Sequence, residues 1–550
     1  MMTKKNFIIS FVSILVFSGF ITKDTDIYFE INKSIDIFGR VYKEVTLNYV
    51  DPLNPEEFML AGINGMLQSL DPYTNFIDAN NQKDIDIITK GKYGGIGATI
   101  GLRNEKITVV DLIEGYSAYR QGMRIGDVII KIDEMPVTKE NYDSLSELLK
   151  GNPGTAVKIT ILREGETEPI VFNLVREEIE VKNLTYYGFY PENSNNAYLK
   201  LSGFSRSAGE EIKKALIELK EKRSIETIVL DLRGNPGGLL DAAIDVSEKF
   251  LSKGQLIVSV KGRDSLDVKK YYAAEEPIAG KLPLAVLIDE GSASASEIVA
   301  GAIQDHDRGV IIGTNSFGKG LVQTLIPLSY NTSLKITTAK YFTPSGRSIQ
   351  KINYSEKNKV FETNIKNDQQ EYRTDLNRKV FSAGGIKPDS VILNKSKSQL
   401  VQRLLADGMF FGFATYFYND KTNDDFYKLT PEQQLKEFQT YLKKQKFEFT
   451  SQTEKLIDQL KIAAAQENLN GNLLEILDKF KAQIDESHSR EMEKYKEEII
   501  SAIKEEIAAR KDGRIGRVVE SLKNDLQFKT ALKILNNKLT YNGFLRKTLN

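Results

Sequence analysis

The chain has no cysteine and no tryptophan, and only two histidines, His306 and His488, in 550 residues. The missing thiols exclude thiol catalysis, cysteine-ligated metals and disulfides. The two histidines stand far apart and fit no metal-ligand spacing, which argues against a histidine-based metal site. There is also no charge of one sign: Lys plus Arg and Asp plus Glu each number 75. With no basic field, nucleic acid is not an expected partner. Membrane-length apolar runs are lacking as well. The one apolar stretch of note, Phe7 to Phe20 after Lys4 and Lys5, is short of the ~20 residues of a comfortable span. A basic segment followed by such a run reads as a signal peptide or signal anchor over residues 1–22. The functional part is therefore expected to be exported, to the periplasm or the extracytoplasmic face of the membrane, and the N-terminus offers a means of membrane association.

What is present is length enough for about three or four domains. Apolar residues at helical spacing between Ile27 and Asp51, and after Pro55-Glu56-Glu57, predict a helical segment over 23–88. A glycine-rich stretch, Tyr93-Gly94-Gly95-Ile96-Gly97, precedes strand-like Lys106–Val110, Gly126-Asp127-Val128-Ile129 and Ala156–Leu162. The loop alone is compatible with a plain hairpin or bulge. Together with Gly126-Asp127 these residues resemble a PDZ domain, placed at 89–180, in which the loop would offer backbone N–H groups to a peptide's C-terminal carboxylate.

From Ala197 to Leu251 strand and helix patterns alternate, predicting an α/β domain with buried strands. Between two of them lies Arg233-Gly234-Asn235-Pro236-Gly237-Gly238, a tight turn or a set of N–H groups facing an anion. The apolar run Leu284–Ile288 then leads through Asp289-Glu290-Gly291 into Ser292-Ala293-Ser294-Ala295-Ser296-Glu297. A buried strand turning into a small-residue helix can present a serine nucleophile. Ser294 with Glu297 also fits an ordinary capping box.

A serine hydroxyl needs a base. In a helix from Ser294, His306 would sit about 18 Å along the axis, out of reach. Lysine is the alternative, since burial lowers its pKa from about 10.4 toward neutrality. Lys319, between Gly318 and Gly320, is the best placed, and Gln323 could orient its amine. Gly313 to Lys319 also matches the first seven positions of a phosphate-binding loop, but Gly320 stands where Ser or Thr must hold magnesium.

After residue 398 glycines become few and Lys and Glu many, with Ile499, Ile500, Ile503 and Ile507 at helical spacing behind the charged run Glu491–Glu498. One long helix is expected there, its charged face packed in a bundle of its own over 399–550. Homo-oligomerisation or adaptor binding is the alternative use of this domain.

From about Leu70 to Ile392 the chain resembles the carboxyl-terminal processing, or tail-specific, proteases. The matching segments include Leu70–Thr74, Tyr93–Gly97, Asp231–Gly238, Gly291–Gly301, Phe317–Gln323, Thr338–Gln350 and Gly384–Asp389, in that order. The resemblance implies an α/β serine-protease core at 181–398 with an inserted PDZ-like β domain, joined here to a helical C-terminal extension that the family core lacks. It implies Ser294 as nucleophile, Lys319 as general base and Gln323 as its orienting partner. The oxyanion hole would be the N–H groups of Ala295 and of Gly237 or Gly238. Peptide binding would fall to Tyr93, Gly94, Gly95, Ile96 and Gly97. The expected substrates are proteins or peptides with a free C-terminus, and no metal or organic cofactor is required. The alternative is a catalytically inactive PDZ scaffold or peptide-binding adaptor.

Overall fold

A computed structural model describes residues 22–79, 81–82, 91–103, 105–263, 268–354, 369–393, 397–420, 423–449, 451–467 and 471–546. All but the last residue of the expected signal segment lies outside these. Among the described residues no helix is long and apolar enough to cross a membrane. Their contacts define two compact units: one takes residues up to 79 with 323–337 and 354, the other takes the rest.

In the first unit, α1 (Thr22–Asn48) and α2 (Pro55–Gln68) form the expected helical pair. Asn54 caps α2 by accepting the Glu56 N–H at 3.0 Å, and Pro55 occupies the first turn, where its missing N–H costs nothing. Tyr42 stacks on Phe58 at 5.6 Å. The Asp71 carboxylate then takes the N–H groups of Tyr73 and Thr74 at 2.8 and 2.9 Å. That turn aims β1 (Asn75–Ile77) antiparallel to residues 333–335.

The second unit begins with a β domain: β2 (Lys92–Gly95), β3 (Ala98–Arg103), β4 (Lys106–Leu112), β5 (Val128–Ile132), β6 (Ala156–Leu162), β7 (Ile170–Val175) and β8 (Glu177–Glu180), with α3 (Tyr142–Leu149) before β6. The sheet order is β3-β4-β5-β6-β7, and β2 pairs with β8. Alternation along β6 turns Val157, Ile159 and Ile161 inward onto Leu145 of α3 and Val109 of β4.

The elements that follow are β9 (Leu184–Phe189), β10 (Asn196–Leu201), α4 (Ala208–Lys222), β11 (Thr227–Asp231), α5 (Leu240–Glu248), β12 (Leu256–Gly262), β13 (Val268–Tyr272), β14 (Leu284–Ile288), α6 (Ala295–Asp305) and β15 (Val310–Gly313). Next come β16 (Leu321–Pro327), β17 (Ser333–Phe342) and β18 (Ser390–Val391). Six of these strands form the central sheet, in the order β9-β10-β11-β14-β15-β18; β9 is antiparallel to β10 and all other pairs are parallel. Strands buried on both faces read as continuous apolar runs, which is why Leu284–Ile288 shows no alternation. Leu230, Val286 and Ile311 point to one face, against Ile212, Val246 and Val299 of the three helices.

The opposite face corrects the expectation of a separate C-terminal bundle. Within the helical extension, α7 (Met409–Asp420), α8 (Pro431–Lys444) and the first part of α9 (Lys496–Leu522) do share a core, built on Phe413, Phe438 and Ile503. The last two helices, α10 (Leu526–Leu535) and α11 (Lys538–Arg546), instead bury Phe528, Ala531 and Ile534 against Val229, Leu287 and Ile312 of the central sheet. The single long helix expected from the charged run is also broken. Tyr495 separates the preceding helix from α9, and α9 itself kinks at Asp512-Gly513, where Gly513 has φ +58°.

Candidate active site

Three loops leave the carboxyl ends of adjacent parallel strands: residues 232–239 after β11, 289–294 after β14 and 314–320 after β15. That edge is where an open α/β sheet presents its chemistry. The loops are tied to one another. Asn235 O accepts the Ala293 N–H at 3.0 Å and the Ser296 hydroxyl at 2.9 Å, and Ser292 O accepts the Phe317 N–H at 3.0 Å.

Ser294 stands at the first turn of α6 with φ +54° and ψ −111°. A non-glycine residue in such a region costs of order 1–3 kcal/mol and persists only where its surroundings impose it. Here they do. Gly237 packs against the turn so closely that a Cβ on it would lie 2.6 Å from Ala293 O and 3.0 Å from the Ser294 Cβ. Ser294 and Lys319 are both half-buried.

The capping partner anticipated for Ser294 does much more than cap. Glu297 is fully buried, and its carboxylate takes four donors. Oε2 accepts the backbone N–H of Ser294 at 2.8 Å and of Lys319 at 2.9 Å; Oε1 accepts the Gly318 N–H at 2.7 Å and the Ser316 hydroxyl at 2.5 Å. Burial pushes this carboxyl up to about 7, against the pull of those donors. The buried Tyr341 hydroxyl ties the same two residues from the other side, reaching Ser294 O at 3.1 Å and Lys319 O. Gln350 accepts the Gly320 N–H at 2.7 Å. Glu297, Tyr341 and Gln350 all lie within the matching segments, yet the sequence marked only Glu297, and only as a cap.

Of the glycine pair, Gly237 donates its N–H within its own loop, to Asn235 Oδ1 at 2.9 Å. Gly238 has φ +157°, and a Cβ there would lie 2.4 Å from Phe204 O. Gln323 is described in the other compact unit, where its amide donates to Thr337 Oγ1 at 3.3 Å. His306 caps the far end of α6, its ring nitrogens 2.7 Å from Asp375 Oδ2 and from Leu256 O. After Lys319 the chain continues as strand β16, so the helix that a phosphate-binding loop requires is not formed there.

In the β domain, the glycine loop is no plain hairpin, since β2 pairs with β8 while β3 pairs with β4. Tyr93 is half-buried on β2 and Ile96 is buried. Gly94 abuts Gly151, whose oxygen would lie 1.9 Å from an added Cβ; Gly97, at φ +78°, abuts Tyr116 at 2.4 Å. A Cβ on Gly95 would meet the Tyr93 ring at 2.7 Å.

The comparisons agree with this architecture. Residues 195–360 match Peptidase family S41, residues 94–174 match a PDZ domain, and residues 400–535 match a probable PDZ-protease C-terminal helical domain. The carboxy-terminal-processing protease of Bartonella bacilliformis is 42% identical over 58% of this chain and 73% of its own length. The carboxy-terminal processing protease CtpB of Bacillus subtilis is 32% identical over 58% of this chain and 67% of its own. Among solved structures, the photosystem II D1 C-terminal processing protease is 28% identical, covering 56% of this chain and 82% of that one at a TM-score of 0.34. The fold is that of an S41 peptidase with a PDZ domain and a C-terminal helical domain, and the enzyme is a serine-type peptidase. The chain belongs to the PDZ-containing carboxyl-terminal processing proteases.

Proposed function

We propose that Ser294 and Lys319 form the catalytic dyad of an endopeptidase that recognises protein C-termini. The observation that carries this reading is their double bridging, through Glu297 Oε2 on one side and the Tyr341 hydroxyl on the other. Neutral Lys319 removes the Ser294 proton as the hydroxyl attacks the scissile carbonyl. The Ala295 N–H, at the start of α6, and the Gly238 N–H face the developing oxyanion, while Gly237 shapes the turn beside it. The protonated lysine returns its proton to the leaving amine, and water then hydrolyses the acyl-enzyme. Gln323 is the residue to which the family resemblance assigns the orienting of the lysine amine.

The loop Tyr93–Gly97 holds the substrate's terminal carboxylate, and the substrate adds as a strand beside β3. Export is proposed on the basic and apolar character of the first 20 or so residues. The test is cleavage of a protein with an apolar C-terminal tail by the wild type, Ser294→Ala and Lys319→Ala. The dyad requires that both substitutions abolish cleavage. Equal cleavage by all three proteins would rule it out.

A further inference from the structure

We propose that the C-terminal helical extension is a working part of the catalytic site, because Asp525 and Gln527 position the oxyanion loop through Arg233. The proposal deepens the dyad reading and rests on it.

Arg233 opens the loop that carries Gly237 and Gly238. Its backbone N–H and Nε both donate to Asp231 Oδ1 at 2.9 Å, and Nη2 reaches Asp231 Oδ2 at 2.6 Å. Asp231 is wholly buried and also accepts the Tyr198 hydroxyl at 2.6 Å, with Lys200 Nζ 3.4 Å away. One carboxylate thus faces two cations, and the second carboxylate comes from the extension. Asp525 Oδ2 lies 2.6 Å from Arg233 Nη2, while its Oδ1 caps α10 by accepting the Phe528 N–H at 2.9 Å. Gln527, buried, accepts from Arg233 Nη1 at 3.0 Å and donates to Ile392 O at 2.8 Å. A planar guanidinium held on several edges fixes its own backbone in register as well as in charge.

From Arg233 the path to the nucleophile is short and stiff. Gly234 N–H donates to Asp289 Oδ1 at 2.8 Å, and Asn235 donates to Leu201 O at 2.8 Å. Gly237 then abuts the Ser294 turn. Freeing one edge of Arg233 leaves a buried cation with one carboxylate fewer, and the loop that aims the Gly238 N–H loses its outer anchor. Oxyanion donors act only at their designed distance, so the loss falls on the transition state and not on substrate binding.

The experiment uses the full-length enzyme with Asp525→Asn, Gln527→Leu, and the double variant Asp525→Asn/Gln527→Glu, which returns a carboxylate to Arg233. Steady-state cleavage, affinity for a peptide boronate that mimics the tetrahedral intermediate, and thermal unfolding are measured on each. Asp525→Asn and Gln527→Leu should each lower kcat by about tenfold to a hundredfold, with KM within about twofold and boronate affinity falling in parallel. The double variant should recover most of the loss relative to Asp525→Asn. Folded variants with wild-type kcat and boronate affinity would overturn the proposal, as would a loss that tracks the melting temperature and ignores the restored carboxylate. Failure of the dyad reading looks different: the wild type would then cleave no better than Ser294→Ala.

Discussion

The backbone N–H groups of Ser294 and Lys319 donate to one and the same oxygen, Glu297 Oε2, at 2.8 and 2.9 Å. Residues 25 positions apart in sequence are thereby fixed to a single buried atom. Glu297→Gln keeps the shape but turns an NH2 group toward N–H donors. We expect a fall in kcat of about a hundredfold, the scale of an ~1 Å misplacement of reacting groups, and destabilisation of about 1–3 kcal/mol. Steady-state kinetics and urea unfolding measure both. Wild-type kcat in a folded Gln variant would remove Glu297 from the account.

The same carboxyl gives opposite pH dependences for stability and activity. Burial raises its native pKa to about 7, above the ~4.3 of an unfolded chain. The stability contributed by its protonated form is therefore complete below about pH 4.3 and is lost as pH rises through about 7. Activity should rise as pH climbs through about 7, because only the carboxylate accepts all four donors. Unfolding of wild type and Glu297→Gln at pH 5 and pH 8 isolates the term. The wild type should lose stability relative to the variant between the two, and a constant difference would contradict the assignment.

Gly237→Ala tests the contact between the oxyanion loop and the nucleophile turn. At φ +98° an added Cβ would meet Ala293 O at 2.6 Å and the Ala295 nitrogen at 2.9 Å. The loop and the turn must part, so kcat should fall by about a hundredfold or more with a modest change in KM. An unchanged kcat would mean that the two segments are not held in this register during turnover.

Phe528 tests the extension as part of the central sheet's core. It is 1% exposed and meets Tyr198 edge-on at 5.3 Å. Phe528→Ala should cost about 3–5 kcal/mol. Calorimetry should show the loss in the transition that unfolds the protease core, whereas a free-standing bundle would melt separately and leave that core untouched.

The buried parallel strands and the PDZ glycines were legible because each depends on residue type over a short stretch, whereas the candidate dyad rests on the family resemblance, which alone selects Ser294 from the three serines. Leu284–Ile288 is apolar throughout, and Gly94 and Gly97 sit where a Cβ would collide with Gly151 and Tyr116. What escaped was made by distance in the chain. Glu297 looks like a cap because its fourfold role depends on a loop 19 to 22 residues later. The tail reads as a bundle of its own because Phe528 and Ile534 carry a helical period whatever they pack against. Nothing local could reveal that Asp525 and Gln527 reach Arg233.

The measurement that bears most directly on the central claim is peptide mapping by mass spectrometry after labelling with a fluorophosphonate, which traps an activated serine covalently. The account predicts a single adduct on Ser294, absent in Ser294→Ala and formed much more slowly in Lys319→Ala. An adduct on Ser292 or Ser296 in the wild type, or labelling at the wild-type rate in Lys319→Ala, would contradict it.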